Sequence, residues 1–539
     1  MTTGARRFRL EGTASIIAIL AAMAGIFGAF KIAGLSAGPK GEKACASILQ
    51  SSAAGNREVA TAANVATIEN LTWAQRGGTI NDASCLDRLD IYGIVEVHSV
   101  EDIARILAFA HAKGLKVTAA GARHSMGGQA FDRAGIVLDM RKFNHMSLNA
   151  ETRTLTVATG ATWHDIQSFL HPRFAVRAMQ STDIFTVGGS ISVNAHGMDH
   201  QAGALEKSIK AMRVMRTDGT IEEVSRTSNR ELFELVVGGY GLFGIILEAD
   251  LDVADNVIYR TGRRIMDYRD FPAVFAKEIE GDPAVGLTYA HLSTAPSSFL
   301  REAILYTYTQ VDGAGAEVKS LDEVGATKLR RLMINLSKQG GLAMELKWLA
   351  EKYVEPRLES CTVARTQALG AGEACLVTRN DPMHDSVAYL RNDLADDTDI
   401  LHEYFIPRDQ YVSFIDGMRS ILQANRTNLL NASVRVVHRE DNFLTYSPQK
   451  SFSVVLYINQ TTDQEGNRRM KKVTGELIDL AIAHGGRFFL PYQLYYTAEQ
   501  LRRSYPQIAD FFAAKRKYDP QEVLTNTFHR TFATAFSAK

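Results

Sequence analysis

The chain has 539 residues, long enough for two or more domains, and its 46% hydrophobic and 22% charged residues are the balance of an ordinary globular protein. Sixty basic residues against sixty acidic ones leave a formal net charge of zero. That removes the global electrostatic footprint of a nucleic-acid-binding protein. The four cysteines, Cys45, Cys85, Cys361 and Cys375, form no CxxC pair, which speaks against a zinc cluster. They read as free or buried thiols, with a Cys361–Cys375 pairing as the alternative in an oxidising compartment.

At the N-terminus, Arg6, Arg7 and Arg9 precede an apolar run from Thr13 to Phe30. The run approaches the roughly 20 residues that span a bilayer. Residues 1–40 therefore read as a signal peptide or a membrane anchor, with Arg6-Arg7-Phe8 hinting at twin-arginine export. A buried core helix is the alternative. Basic residues before the run predict that this end stays inside and that the body crosses the membrane, although Lys31, Lys40 and Lys43 weaken the asymmetry. Residues 41–72 read as a linker rich in Ala, Gly and Ser.

From Trp73 strands and helices alternate. Ser99 to Lys113 predicts a helix: Ser99 caps it, Asp102 follows three residues on, Ile103, Ile106, Leu107 and Ala110 share a face, and Gly114 ends it. Leu115 to Ala120, Ile136 to Asp139 and Thr154 to Ala158 read as strands, and Thr162 to Leu170 as a helix. After about Val253 the pattern changes to longer helices (Ala326 to Lys338, Arg408 to Ala424) and strands with period-two alternation (Ser433 to Val437, Ser451 to Ile458). A last helix is predicted over Ala498 to Lys517.

Gly239-Tyr240-Gly241-Leu242-Phe243-Gly244 matches GxGxxG, but a dinucleotide fingerprint needs a strand before it and a helix after it. Here Glu231 to Val237 reads as helix and Ile245 to Val253 as strand, so the order is reversed and the Rossmann reading fails. His196 and His200 have helical metal-ligand spacing, yet Gly197 lies between them and no third ligand is evident, so no metal is expected there. Two glycine-rich loops carry more. Gly121-Ala122-Arg123-His124-Ser125-Met126-Gly127-Gly128 follows a strand and suits an anion-binding nest of backbone N–H groups. His124 is unusual in such a loop. About 60 residues on comes Gln180-Ser181-Thr182-Asp183-Ile184-Phe185-Thr186-Val187-Gly188-Gly189-Ser190-Ile191-Ser192, then His196-Gly197. Two such loops fit one extended ligand with a phosphate middle.

These loops resemble the vanillyl-alcohol-oxidase-like, PCMH-type FAD-binding superfamily, over about Cys85 to Phe532. The sugar-oxidising branch looks nearest: aldonolactone oxidases, alditol oxidase and decaprenylphosphoryl-ribose oxidase. The resemblance implies an α+β fold, with a two-subdomain FAD-binding domain at 73–254, an α+β substrate (cap) domain at 255–490, and a C-terminal segment at 491–539 that returns to the FAD domain. It implies that Gly121, Ala122, Arg123, Ser125 and Met126 hold the FAD pyrophosphate and that His124 bonds covalently to the flavin. Ser181, Thr182, Val187, Gly188, Gly189, Ser192, His196 and Gly197 would contact isoalloxazine and pyrophosphate, Ile246 the adenine-side phosphate and ribose, and Asn526, in the closing motif, the flavin.

The catalytic end departs from the family. A Glu-x-Arg pair is Ser433-Val434-Arg435 here, so the arginine stays and the glutamate is lost. A family lysine is Tyr492, and a strand histidine is Leu456. Glu403 and Ser181 are kept, and Gln180 stands where a small residue is common beside the flavin. The expected catalytic set is thus Arg435, Glu403, Tyr492, Ser181 and Gln180, with Glu403, Tyr492 and His438 as candidate bases. His438, three residues beyond Arg435, is expected to face the other side of its strand.

The expected function is oxidation of a hydroxyl group on a sugar-like, small-molecule or lipid-linked substrate, by an exported or membrane-anchored enzyme. The flavin would be reoxidised by oxygen or another acceptor. An electron-transfer or partner-binding flavoprotein, or a reductase of carbon–carbon double bonds, is the alternative.

Overall fold

The computed structural model describes residues 70–311, 327–354, 376–384 and 396–536, together with positions 25, 68, 318, 320 and 321. The apolar segment from Thr13 to Phe30, position 25 apart, and most of the 41–72 linker lie outside these residues. Among the described residues no helix is long and apolar enough to cross a membrane.

The first layer is a four-stranded sheet in the order β1-β2-β4-β3, built from β1 (Thr72–Arg76), β2 (Gly93–Glu96), β3 (Val117–Ala120) and β4 (Ile136–Asp139). Its β2–β4 and β3–β4 pairs are parallel, so a crossover must join β2 to β3. Helix α1 (Val100–Lys113) is that crossover. Its N-cap Ser99 and Asp102 form a reciprocal capping box, and Gly114 closes it in the left-handed region at φ 64°. Ile103, Ile106, Leu107 and Ala110 are buried against Val95, Val117, Ile136 and Leu138. Each fully buried Ile or Leu contributes roughly 1.5–3 kcal/mol.

The second sheet is antiparallel, in the order β8-β7-β9-β6-β5. It comprises β5 (Met146–Asn149), β6 (Thr154–Ala158), β7 (Ile209–Met215), β8 (Ile221–Ser225) and β9 (Ile245–Asp255), with helices α2 (Trp163–Leu170) and α3 (Val187–Ser192) between β6 and β7. The glycine-rich turn 239–244 lies between a helix, Arg230–Val236, and the strand β9, which is the order that excludes a Rossmann nucleotide site.

The third sheet has eight strands, all antiparallel, in the order β13-β10-β12-β11-β15-β16-β14-β17. They are β10 (Ile258–Asp267), β11 (Val285–Leu292), β12 (Glu302–Gln310), β13 (Leu376–Thr378), β14 (Asp397–Pro407), β15 (Asn428–Val437), β16 (Ser451–Thr461) and β17 (Arg487–Phe488). Helix α5 (Gln464–Ala483), paired with α4 (Tyr411–Ala424), packs on one face of β14 and β16. The other face looks toward the glycine-rich loops. Because side chains alternate along a strand, His402, Leu456 and Val434 turn toward the helices while Glu403, Val455 and Arg435 turn toward the loops.

The chain then returns to the first layer. Val523 O accepts from Val117 N, and Thr525 N donates back to Val117 O. Val523 and Leu524 join the core under α1.

Two expectations change. The single helix over Ala498 to Lys517 is two, α6 (Ala498–Ser504) and α7 (Ile508–Tyr518). Pro506 lacks an N–H and forces the residue before it out of the helical region, and Tyr505 duly sits at ψ 80°. Cys85 is not a thiol but disulfide-bonded; the other three cysteines lie outside the described residues.

Candidate functional site

One cleft separates the glycine-rich loops from the third sheet, with a cavity of about 290 Å³. Its first wall is backbone and small side chains: Gly121, Ala122, Arg123, His124 and Ser125 from the loop after β3, and Ser181, Thr182, Gly188, Gly189 and Ser192 from the second loop and α3. His196, Gly241 and Ile246 extend the lining. Glycine is required at the close approaches. A Cβ on Gly121 would lie 1.9 Å from Thr186 Oγ1, and one on Gly188 2.8 Å from Thr159 Cβ. The first loop is held from behind. Met126 N donates to Pro491 O at 2.7 Å, Gly128 N to Asp82 Oδ2 at 3.1 Å, and Gln129 Nε2 to Leu490 O at 2.7 Å. These bonds also fix residues 490–492 against the loop, so Tyr492 is delivered to the opposite wall.

Several residues expected at the cofactor are elsewhere. Met126 and Val187 are core side chains. Gly197 is a packing glycine, its hypothetical Cβ 1.9 Å from Met179 O. Asn526 caps α8 (Thr527–Phe532) and donates to Tyr240 O at 2.8 Å, so it supports a lining residue without lining the cleft itself.

The second wall is charged. Strand register brings Arg435 opposite Ser453, and Glu403 opposite Val455. With β16 between them, Arg435 and Glu403 converge on one face. Glu403 accepts from His196 Nε2, from Ser453 Oγ at 2.5 Å and from Tyr492 Oη at 3.2 Å. Burial alone would raise its pKa, but the His196 and Ser453 hydrogen bonds and the Arg435 charge hold it below the usual range. Glu403 is therefore ionised, and its Oε2 is the acceptor that Tyr492 Oη reaches. Burial and the Glu403 charge push the Tyr492 hydroxyl well up, so it stays protonated. Burial lowers Arg435, while Glu403 opposes the shift; its Nε has no hydrogen-bond partner.

The five residues expected for catalysis, Arg435, Glu403, Tyr492, Ser181 and Gln180, all line this cleft. Gln180 is anchored, however: its Oε1 accepts from Trp163 Nε1 at 3.0 Å and Ser190 Oγ at 2.7 Å. Its side chain is a fixed part of the cleft wall. Leu456 faces the helices, and His438 is hydrogen-bonded to His200 O at 2.7 Å, outside the lining. With a carbonyl as partner, His438 Nε2 must be the donor. His196 and His200 go to different places: the first to Glu403, the second edge-on to Phe275. The ties of His196 and Ser453 to Glu403 were not visible in the sequence, since they depend on how distant segments meet in the fold.

His124 is half-buried, its free edge in the cleft and its ring edge-on to Phe185 at 4.9 Å between centroids. Burial pushes its pKa down to about 4, so the imidazole is neutral, with a lone pair available. The unpartnered Ser181 Oγ and Arg435 Nε, the glycine-lined cradle and this neutral histidine fit an extended ligand with an anionic middle and an aromatic head.

Residues 92–225 match the FAD binding domain family, and residues 392–532 match the D-arabinono-1,4-lactone oxidase family. The chain is 32% identical over 161 residues to an uncharacterised oxidoreductase of the fasciation locus of Rhodococcoides fascians, covering 29% of this chain and 36% of that one. It is 32% identical over 194 residues to cytokinin dehydrogenase 2 of Arabidopsis thaliana, covering 35% and 38%. It is 29% identical over 168 residues to decaprenylphosphoryl-beta-D-ribose oxidase of Mycolicibacterium smegmatis, covering 30% and 36%. The chain thus spans little more than a third of the length of these curated relatives.

Proposed function

We propose that this chain, segments of which match the FAD binding domain and D-arabinono-1,4-lactone oxidase families, is an FAD-dependent oxidoreductase that oxidises a hydroxyl group of a sugar-like or other hydroxylated substrate. The observation that carries this reading is the cluster Glu403–Tyr492–Arg435, a fixed anion, a protonated phenol and a half-buried cation on the wall facing the glycine-rich loops. FAD, when bound along those loops, supplies the hydride acceptor.

The rest is done by the chain. Tyr492 takes the substrate's hydroxyl proton and passes its own to Glu403 Oε2. Arg435 stabilises the negative charge that develops on the substrate oxygen. Glu403, saturated by its three donors, orients Tyr492 and offsets the Arg435 charge. His124, whose imidazole is neutral, would be the residue to hold the isoalloxazine covalently when FAD is bound. The Cys85 disulfide suits a body folded in an oxidising compartment, which agrees with a signal or anchor in residues 1–40 and with a membrane-proximal or lipid-linked substrate.

The test is anaerobic rapid mixing of the purified full chain with a panel of aldonolactones, alditols and lipid-linked pentoses. Bleaching of the flavin absorbance by at least one class is expected. A flavin that no hydroxylated compound bleaches, yet that exchanges electrons with a protein partner, would replace this reading with electron transfer.

A further inference from the structure

Away from the cleft's open face, three side chains from distant parts of the chain converge. His164 is the second residue of α2, Asp183 follows Thr182 in the second glycine-rich loop, and His384 ends the short 3₁₀ turn Asp381–Met383. Asp183 Oδ2 lies 2.9 Å from His164 Nδ1 and 3.2 Å from His384 Nδ1. The two imidazoles stack, with centroids 4.7 Å apart and planes 23° from parallel. One ligand atom from each of the three residues lies within 4.8 Å of the others.

Asp183 is wholly buried, its side chain 0% exposed. Its other oxygen, Oδ1, has no hydrogen-bond partner. Among the described residues no lysine or arginine pairs with it; its ion-pair partners are these two histidines. A buried carboxylate with an orphaned oxygen needs a cation beside it. Here the nearest groups are two Nδ1 nitrogens, each able to ligate a metal when its ring carries its proton on Nε2.

We propose that His164, Asp183 and His384 form a site for a divalent transition-metal ion, with Zn²⁺ the ion best suited to two imidazoles and one carboxylate. Ligands of tetrahedral zinc at about 2.0–2.1 Å from the metal stand roughly 3.3 Å from one another. The two separations at Asp183 Oδ2 are already close to that value, so a bound ion requires only a small outward movement of the rings. Two candidates exist for the fourth position. Gln167 Oε1 lies 3.2 Å from His384 Nδ1, and the His164 side chain is 35% exposed, which leaves a path for water.

The site has a structural consequence. It joins α2, the 380–384 segment and the loop that carries Ser181 and Thr182 at the cleft. Gln167 Nε2 donates to Asn380 O at 3.2 Å, and His164 N to Asp183 O at 2.8 Å, so the three segments are already in register. A metal would lock that loop from behind without touching the reacting groups, and would act through the position of Ser181 and Thr182.

The experiment uses the untagged, flavin-loaded full chain, dialysed free of metal and titrated with Zn²⁺ and with Co²⁺. One Zn²⁺ per chain is expected, with a visible Co²⁺ absorption of tetrahedral intensity and a melting temperature that rises with Zn²⁺ and falls back with EDTA. His164→Ala and His384→Ala should each weaken Zn²⁺ binding by at least about 100-fold. His164→Ala is the safer variant, because that ring is partly exposed and leaves the buried carboxylate in place. If wild type takes up no stoichiometric metal at micromolar concentrations, or if both histidine variants bind it as tightly as wild type, the cluster is a hydrogen-bonded triad and the proposal is overturned. Flavin content, read in the same samples, separates this outcome from a failure of the proposed function.

Discussion

The two walls of the cleft are made of different material. The loop wall is backbone, glycine and small side chains, and its shape comes from contacts such as Gly121 against Thr186. The sheet wall is charge, with Glu403 and Arg435 brought together only because β14 and β15 flank the same strand. The first wall can accept a ligand without discriminating among substrates. The second can act on a proton and a developing charge. Damage to one wall should therefore differ in kind from damage to the other.

The largest effect is expected from Glu403→Gln. It removes the anion facing Arg435 and Tyr492, and loss of proton-transfer function typically costs about 100- to 10,000-fold in rate. Flavin content, which belongs to the loop wall, should stay near wild type. Parallel measurement of turnover and of flavin absorbance per chain checks this. A variant that loses flavin in proportion to activity would erase the distinction between the walls.

The pH dependence of stability sharpens the comparison with one histidine on each side. His402, behind the sheet wall, and His124, on the loop wall, are both pushed by burial from 6.5 down to about 4. A histidine whose folded pKa is lowered contributes its full stabilisation above pH 6.5 and loses it as pH falls toward 4. For His402, which is 3% exposed, the loss amounts to about 3 kcal/mol. For His124, whose edge meets the open cleft, it is smaller. Melting curves of the flavin-free chain between pH 4.5 and 7 should fall steeply, and His402→Asn should flatten them more than His124→Asn. Equal flattening would show that the two environments are alike.

The smallest of the three effects is Gly121→Ala. The new methyl would collide with Thr186 Oγ1, and overpacking of this kind costs about 1–3 kcal/mol. Flavin affinity should drop, read by dialysis and fluorescence, while chains that retain flavin turn over near the wild-type rate. A variant that binds flavin normally would show that the loop yields at this point.

The same contrast explains how much the sequence disclosed. The loop wall is local: Ser99, Asp102 and Gly114 mark α1, and the glycines after β3 mark the cradle within a dozen residues. Even there Met126, Val187, Gly197 and Asn526 do not line the cleft, because a motif does not say which side of a loop faces inward. The sheet wall is not local. Period-two alternation places Glu403 and Arg435 on their strands, but only the pairing of both with β16 shows that they share a face. Ser453 as a partner of Glu403 follows from the same register, whereas His196 comes from the segment after α3 and meets Glu403 only in the fold. The His164–Asp183–His384 cluster lies furthest from sequence view, since its members are separated by 19 and 201 residues and share no motif. Pro506 is visible in the sequence, and it divides the helix expected over Ala498 to Lys517.

The pairing of Val117 with the 523–525 segment sets a timetable for the nascent chain. Thr118 and Thr525 are joined by a hydrogen bond across 407 residues, a distance that a ribosome covers in about 20–80 s at 5–20 residues per second. Throughout that interval the strand leading into the cofactor cradle lacks its neighbour, and Lys116 lacks the carbonyls of Gln521 and Glu522 that its ammonium later binds. That side of the strand is therefore completed only when translation is nearly over. Any early stop, or proteolytic nick that releases the last few dozen residues, will be felt first at the opposite end of the polypeptide.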